Sequence, residues 1–201
     1  EYLPQTAVFS DIEGWKKISG TWSIEQLNGS TVFTQTSSVG AALALWGHPL
    51  WKNYTVSTAI RVDQLNGDSS AGLICGATDN MNYYLWRVAQ DNLGNQLLQL
   101  FKCDNDNFTK LYTESISGTL LGNDTFLEAV VNGSTVIVKY NGQEKFRYTS
   151  DSEIQGQVGF RSLNATFKVV SLNVADESTE SDVSVVETYE NEEIAMSDSK
   201  I

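Results

Sequence analysis

The chain has almost none of the residues from which metal, redox or nucleophilic chemistry is usually assembled. One histidine, His48, and two cysteines, Cys75 and Cys103, stand among 201 residues. That excludes a Cys-x-x-Cys metal knuckle, and no serine or cysteine is marked by pattern as a nucleophile with His48 as its base. Apolar residues do not recur at every third and fourth position before residue 176, so no convincing amphipathic helix is expected. No apolar run approaches the roughly 18 residues that span a bilayer. Positive charge is also scarce, with 13 Lys and Arg against 25 Asp and Glu. The imbalance is uneven: residues 1–175 carry 12 basic against 16 acidic side chains, and residues 176–201 carry one against nine. A nearly balanced body with an acidic tail offers no basic field to phosphate backbones or anionic lipids, so nucleic acid and membrane insertion are set aside.

What is present is strand and turn. The turn signals LNGS (28 at its Asn), LNGD (65–68), TDNMN (78–82), DNLGN (91–95), DNDN (104–107), VNGS (131–134) and YNGQ (140–143) separate β-branched and aromatic runs of strand length. Many short strands with regular turns predict an all-β fold, a two-sheet antiparallel sandwich or jelly roll. Alternation assigns faces. In YTVSTAIRV, Tyr54, Val56, Thr58, Ile60 and Val62 face the core, with Thr55, Ser57, Ala59 and Arg61 outward. In YYLWRV, Tyr84, Trp86 and Val88 face inward and Tyr83, Leu85 and Arg87 face the other way. LEAVVNGSTVIVKY reads as two strands joined by an Asn-Gly turn, with Leu127, Ala129, Val131, Val136, Val138 and Tyr140 inward. Cys75 and Cys103 fall on strands with another between them, about 9 to 10 Å apart at Cα, which is too far for a disulfide. Residues 176–201 lack Gly and Pro and are densely acidic, so a solvated extension is expected there, with VSVVETY as a candidate edge strand.

The motifs G-x-W (Gly20, Trp22), W-x-x-Y-x-V (Trp51, Tyr54, Val56), A-G-L-x-x-x-A-T-D-N-x-N-Y-Y (from Ala71), V-N-G-S and G-x-V-G-x-R-S (from Gly156) occur in an order that resembles the concanavalin A-like lectin/glucanase superfamily. More narrowly, residues 8–175 are similar to laminin-G-like jelly rolls such as family-66 carbohydrate-binding modules and the 3-keto-disaccharide hydrolase domain. The resemblance implies two facing antiparallel sheets and a secreted, multidomain setting. It also sets templates for catalysis that the chain does not meet. Glucanases of this fold use E-x-D-x-x-E, which sets two carboxylates about 5 to 5.5 Å apart across the bond; the sequence has none, and His48 lies in W-G-H-P instead of a Q-x-H strand motif. Relatives have an acid where this chain has Lys168, so no contact is carried over there.

Sugar binding needs an aromatic surface and a few planar polar groups. The candidates are Trp46, His48, Arg61, Asp79, Tyr83 and Arg87. Trp51 matches a core-capping position, whereas Trp46 reads either as a platform or as a lid over the end of the sandwich. His48 beside Pro49 reads as a ligand contact or as a loop organiser. Tyr83 and Arg87 share a face, and Arg61 would join them if its strand adjoined theirs. The turns around Asp79 and Asp104 point either to calcium, through hard oxygen ligands, or simply to hairpin geometry. Six N-x-S/T sequons begin at Asn28, Asn53, Asn107, Asn123, Asn132 and Asn164 and are compatible with secretion. The opening EYLPQ has no initiator Met or basic leader, so upstream chain is expected to have been removed. The expectation is a non-catalytic carbohydrate-binding domain over 1–175, with an acidic extension over 176–201, tethered to other domains and acting outside the cell or at its surface. Its rivals are a structural or adhesive spacer and a keto-disaccharide-hydrolase-like enzyme.

Overall fold

The computed structural model describes residues 14–177, and its regular elements are all strands: β1 (Lys16–Ser19), β2 (Trp22–Leu27), β3 (Ser30–Gln35), β4 (Ala41–Trp46), β5 (Tyr54–Ala77), β6 (Tyr83–Gln90), β7 (Gln96–Asp104), β8 (Asn107–Ser115), β9 (Asp124–Asn132), β10 (Thr135–Tyr140), β11 (Gln143–Thr149) and β12 (Gln157–Asp176). They build a concanavalin A-like sandwich of two antiparallel layers. The first runs β1-β4-β12-β5-β6-β7-β8 and the second β2-β3-β12-β5-β9-β10-β11. The two long strands belong to both. Residues 54–62 of β5 pair with β9 and the second half of β12, and residues 69–77 pair with β6 and the first half of β12.

That double membership overturns one expectation. LNGD does not close a hairpin; β5 passes straight through it from one layer to the other. Gly67 takes the positive φ (62°) the corner needs, and the Asn164 amide staples it, donating to the Asp68 carbonyl (3.0 Å) and accepting from the Gly40 N–H (2.8 Å). Together with β12, which crosses beside it, that corner joins the two layers.

Between the layers lies the core, and the alternation predicted it well. Trp86, Tyr54, Phe33, Phe160, Ile60 and Leu73 have no exposed side-chain surface, each stabilising the fold by about 1.5–3 kcal/mol through burial. Trp86 satisfies its indole N–H across the layers on the Lys139 carbonyl (2.8 Å). Leu127, Ala129, Val131, Val136 and Val138 are buried as expected. Ala59, expected outward, is buried because β12 bulges between Val169 and Ser171, bringing the Ser171 hydroxyl onto the Ala59 N–H (3.1 Å).

Turn chemistry explains the hairpins. Asn28-Gly29, Asn105-Asp106 and Asn141-Gly142 each have positive φ at both central residues, as a type I′ turn requires. In VNGS, the central pair is Gly133-Ser134, with positive φ at Gly133 alone, so the turn sits one residue later than an Asn-Gly reading places it. Cys75 and Cys103 lie on β5 and β7, with β6 between them, and both are free and buried. β12 continues through Asp176, and the Glu177 N–H still bonds the Asn53 carbonyl (2.8 Å). The rest of the acidic extension, with VSVVETY, lies outside the described residues.

Candidate functional site

The WGHPLW stretch is built around one glycine. Gly47 has φ +94°, and a Cβ there would fall 2.1 Å from the Trp51 ring, so only glycine lets that indole lie flat on the backbone. Trp51 is buried, Trp46 meets it edge-on (centroids 5.4 Å), and Trp15 stacks on the other side of Trp46 (6.2 Å, 24°). Trp46 is therefore part of an aromatic lid, half-buried against the core. His48 serves the loop: its Nδ1 accepts from the Leu50 N–H (3.2 Å) and its carbonyl from the Trp51 N–H (3.1 Å).

Arg61 and Asp79 also lie apart from Tyr83 and Arg87. Arg61 is on the second-layer half of β5, where it pairs with Asp124 (2.7 Å), so it sits on the opposite outer face from Arg87. The Asp79 carboxylate caps its own turn, accepting from the Met81 N–H (2.7 Å) and the Asn82 amide (2.9 Å). Burial pushes its pKa up, but these hydrogen bonds outweigh it and leave the group below the usual carboxylate range. Asp104 accepts from the Asn105 amide (2.9 Å). Among the described residues, no three His, Cys, Asp or Glu side chains gather where a metal could be held.

Tyr83 and Arg87 do share a face, the outer side of the first layer, and the structure adds partners that the sequence did not mark. Strand register sets Arg161, Gly72, Arg87 and Gln99 in one row across four strands, with Gly159, Ile74, Leu85 and Phe101 in the next. The Arg161 guanidinium on β12 lies over the Phe108 ring on β8, 4.8 Å from its centroid. On a flat sheet, four strand spacings would hold those backbones about 19 Å apart. The layer is therefore curved, and this is its hollow side. The curvature explains why Tyr83 and Leu85, assigned outward, are buried: they floor the hollow with Leu45, Ile74 and Phe101. A Cβ at Gly72 would fall 2.5 Å from that of Arg87, and one at Gly159 2.2 Å from the Ala44 carbonyl, so the two glycines keep the floor low beside the arginines.

Arg87 is fixed from three sides. Its Nε and Nη2 donate to the Gln99 side-chain oxygen Oε1 (3.0 and 2.8 Å), its Nη1 to the Ser70 hydroxyl (3.0 Å), and its guanidinium lies 4.5 Å from the Phe101 centroid. Burial, aided by the charge of Arg161 and opposed by Asp68, lowers its pKa to about 10, so it stays charged at neutral pH. The Tyr83 phenol is pushed well above its usual value, mainly by burial, with Arg161 acting against this. Tyr83 and Cys103 also border a polar pocket of about 240 Å³ at the end of the layer, lined further by Tyr84, Lys102, Asp104, Ser150 and Glu153. A second pocket, of about 510 Å³, lies on the opposite outer face beside Phe126, which is 55% exposed.

Charge is sorted between the layers. Six cations form ion pairs: Lys52, Arg61, Lys139, Lys145, Arg147 and Lys168, all in the second layer or its loops. Lys168, found where an acid was expected, pairs with Asp63. Among the described residues, the cations without an ion pair are Lys16, Lys17, Arg87, Lys102, Lys110 and Arg161, and every one is on a first-layer strand. On the strand positions facing the hollow the acid is Asp68, at the corner end of β5, which acts on Arg87 through its charge without forming an ion pair with it.

Comparison with known proteins agrees with this architecture. The family model of the β-xylosidase C-terminal concanavalin A-like domain matches residues 51–193. No curated protein sequence matches the chain. Among solved structures, the fold is similar to the family-66 carbohydrate-binding module from Bacillus subtilis (TM-score 0.69, 18% identity, covering 81% of this chain and 96% of that one). It is also similar to a family-16 endo-glucanase from Bacteroides ovatus (0.62, 8%, 84% and 98%). A xylan β-1,4-xylosidase from Bacillus halodurans C-125 is a further match (0.61, 16%, 88% of this chain but 40% of that one).

Proposed function

The chain belongs to the family of β-xylosidase C-terminal concanavalin A-like domains, and from that premise we propose that it is a non-catalytic glycan-binding module of a larger protein. It takes a sugar terminus or short glycan in the hollow of its first layer. The observation that carries this reading is the pair Arg87 and Arg161, two planar guanidinium groups laid on aromatic rings, neither of them held in an ion pair. Such groups grip vicinal hydroxyls, the exposed Phe108 offers ring surface, and the 240 Å³ pocket has room for one terminal ring. Glycosidic hydrolysis on a sandwich face needs two carboxylates across the bond, and this face has cations there instead. The similarity to a carbohydrate-binding module over nearly its whole length supports the same reading. Action outside the cell, on a tether to other domains, fits a module that concentrates its neighbours on a polymer.

A glycan array probed with the full chain, alongside a Phe108→Ala variant, tests the proposal. Phe108 is 38% exposed, so truncation leaves the core intact, and a loss of affinity of about tenfold at unchanged thermal stability is expected. Silence of the wild-type chain across the array would overturn it. A second reading has its own support: the chain covers only 40% of the matching xylosidase. In that arrangement the Phe126 face of the second layer would dock on a catalytic domain.

A further inference from the structure

Resting on the glycan-binding reading, we propose that the ligand carries an oxyanion, the carboxylate of a uronate or a sulfate ester, and that Arg161 and Arg87 bind it from either side of Gly72. Arg161 carries the proposal furthest. Its guanidinium rests on the Phe108 ring; among the described residues, its side chain makes no hydrogen bond or ion pair. Five N–H groups are thus presented on a rigid plate with nothing to receive them. Arg87, two strands away in the same row, keeps two of its five donors after bonding Gln99 and Ser70. The row position between them is Gly72, which has no side chain to fill the gap. Two strand spacings set the backbones about 10 Å apart, a span that two side chains leaning over a curved floor close onto one small group.

Electrostatics points the same way. Two guanidinium groups sharing a partly buried hollow repel each other, and burial already disfavours the charge on Arg87. The charge of Asp68, two residues along β5 from Ser70, opposes this at Arg87 without forming an ion pair with it; no ion pair reaches Arg161, and Lys110 adds a third cation 5.9 Å from the Phe101 centroid. In the second layer Asp63, Asp124, Glu128 and Glu144 each sit beside a cation of their own. The missing negative charge is supplied by the ligand. A net charge of −12 does not prevent this, because fields from distant acids are screened within about 8 Å at physiological salt.

Calorimetric titration of the full chain separates the outcomes, using three probes: a hexuronate oligosaccharide, the same oligosaccharide after carboxyl reduction, and a sulfated neutral oligosaccharide. The charged probes, one or both, are expected to bind about tenfold tighter than the reduced one, and raising salt from about 50 to about 500 mM should erase most of that advantage. Which charged probe wins identifies the source of the oxyanion. Arg161→Gln should abolish the advantage and Arg161→Lys restore only part of it, at unchanged melting temperature, since Arg161 holds no other side chain in place by a hydrogen bond. Equal binding of reduced and charged probes would overturn the oxyanion inference and leave the glycan-binding reading standing. No binding of any probe, together with a silent array, would overturn both.

Discussion

Single residues decide how the ligand-sized features are made. Gly47 is the clearest case, because the whole aromatic lid depends on its missing side chain. Replacing it with alanine must push the Trp51 ring aside and place a Cβ at a left-handed φ. The two costs, local strain and overpacking, predict that Gly47→Ala lowers stability by about 2–4 kcal/mol. Chemical denaturation with tryptophan fluorescence checks this. From sequence, the residue types in WGHPLW were visible, but whether Trp46 met a ligand or two other indoles was not. Stacking partners come from distant segments, in this case Trp15. Arg161 is the converse. It sits in the quoted G-x-V-G-x-R-S motif, yet nothing about that motif distinguishes an arginine over a ring from one in solvent.

Among elements, hairpins were the most legible and the long strands the least. Turn type is a local property, so LNGS, DNDN and YNGQ could be read directly from Asn, Asp and Gly at positive-φ positions. The Asn105-Asp106 turn is the least comfortable of these, with a non-glycine residue at φ 64° in its second central position. Asp106→Gly removes that strain while keeping the backbone bond from residue 106 to the Met81 carbonyl (3.1 Å), and should stabilise the domain by about 0.5–1 kcal/mol. A rise in melting temperature is the readout. LNGD carries the same residues and does the opposite, since β5 continues through it. A turn signal states that the backbone can bend; what it bends into depends on whether another strand, here β12, pairs with both sides of the bend.

At the scale of the molecule, β5 and β12 tie the two layers into one body, so neither layer can unfold alone and a single cooperative transition is expected. Its pH dependence has a defined sign. Burial raises the Cys75 thiol to about 12 and pushes the Tyr54 phenol up as well, while both titrate near their ordinary values in the unfolded chain. Above pH 9 the unfolded state therefore releases protons that the folded state keeps, so stability is full below pH 9 and falls as pH rises toward about 12. Denaturant midpoints measured from pH 7 to 11 should decline above 9, and Cys75→Ala should flatten the early part of the decline. The charge sorting between layers belongs to this scale too. Counting along the chain showed a nearly balanced body without a basic field, and the fold then gathered every unpaired described cation on one layer.

The sequence by itself determined the class of fold, the strand faces toward the core, the hairpins, the separation of the two thiols and the pairing of Tyr83 with Arg87 on one face. All of these follow from periods of two and from turn chemistry, which act between neighbours in the chain. Only the tertiary structure decided that Arg61 lies on the far side, that Trp46 is a lid, that Asp79 caps its own turn and that Arg161 joins Arg87 over a hollow. Those facts depend on which half of a long strand pairs with which partner and on how far a layer curves, and curvature brings β8 and β12 together across strands that no local pattern connects.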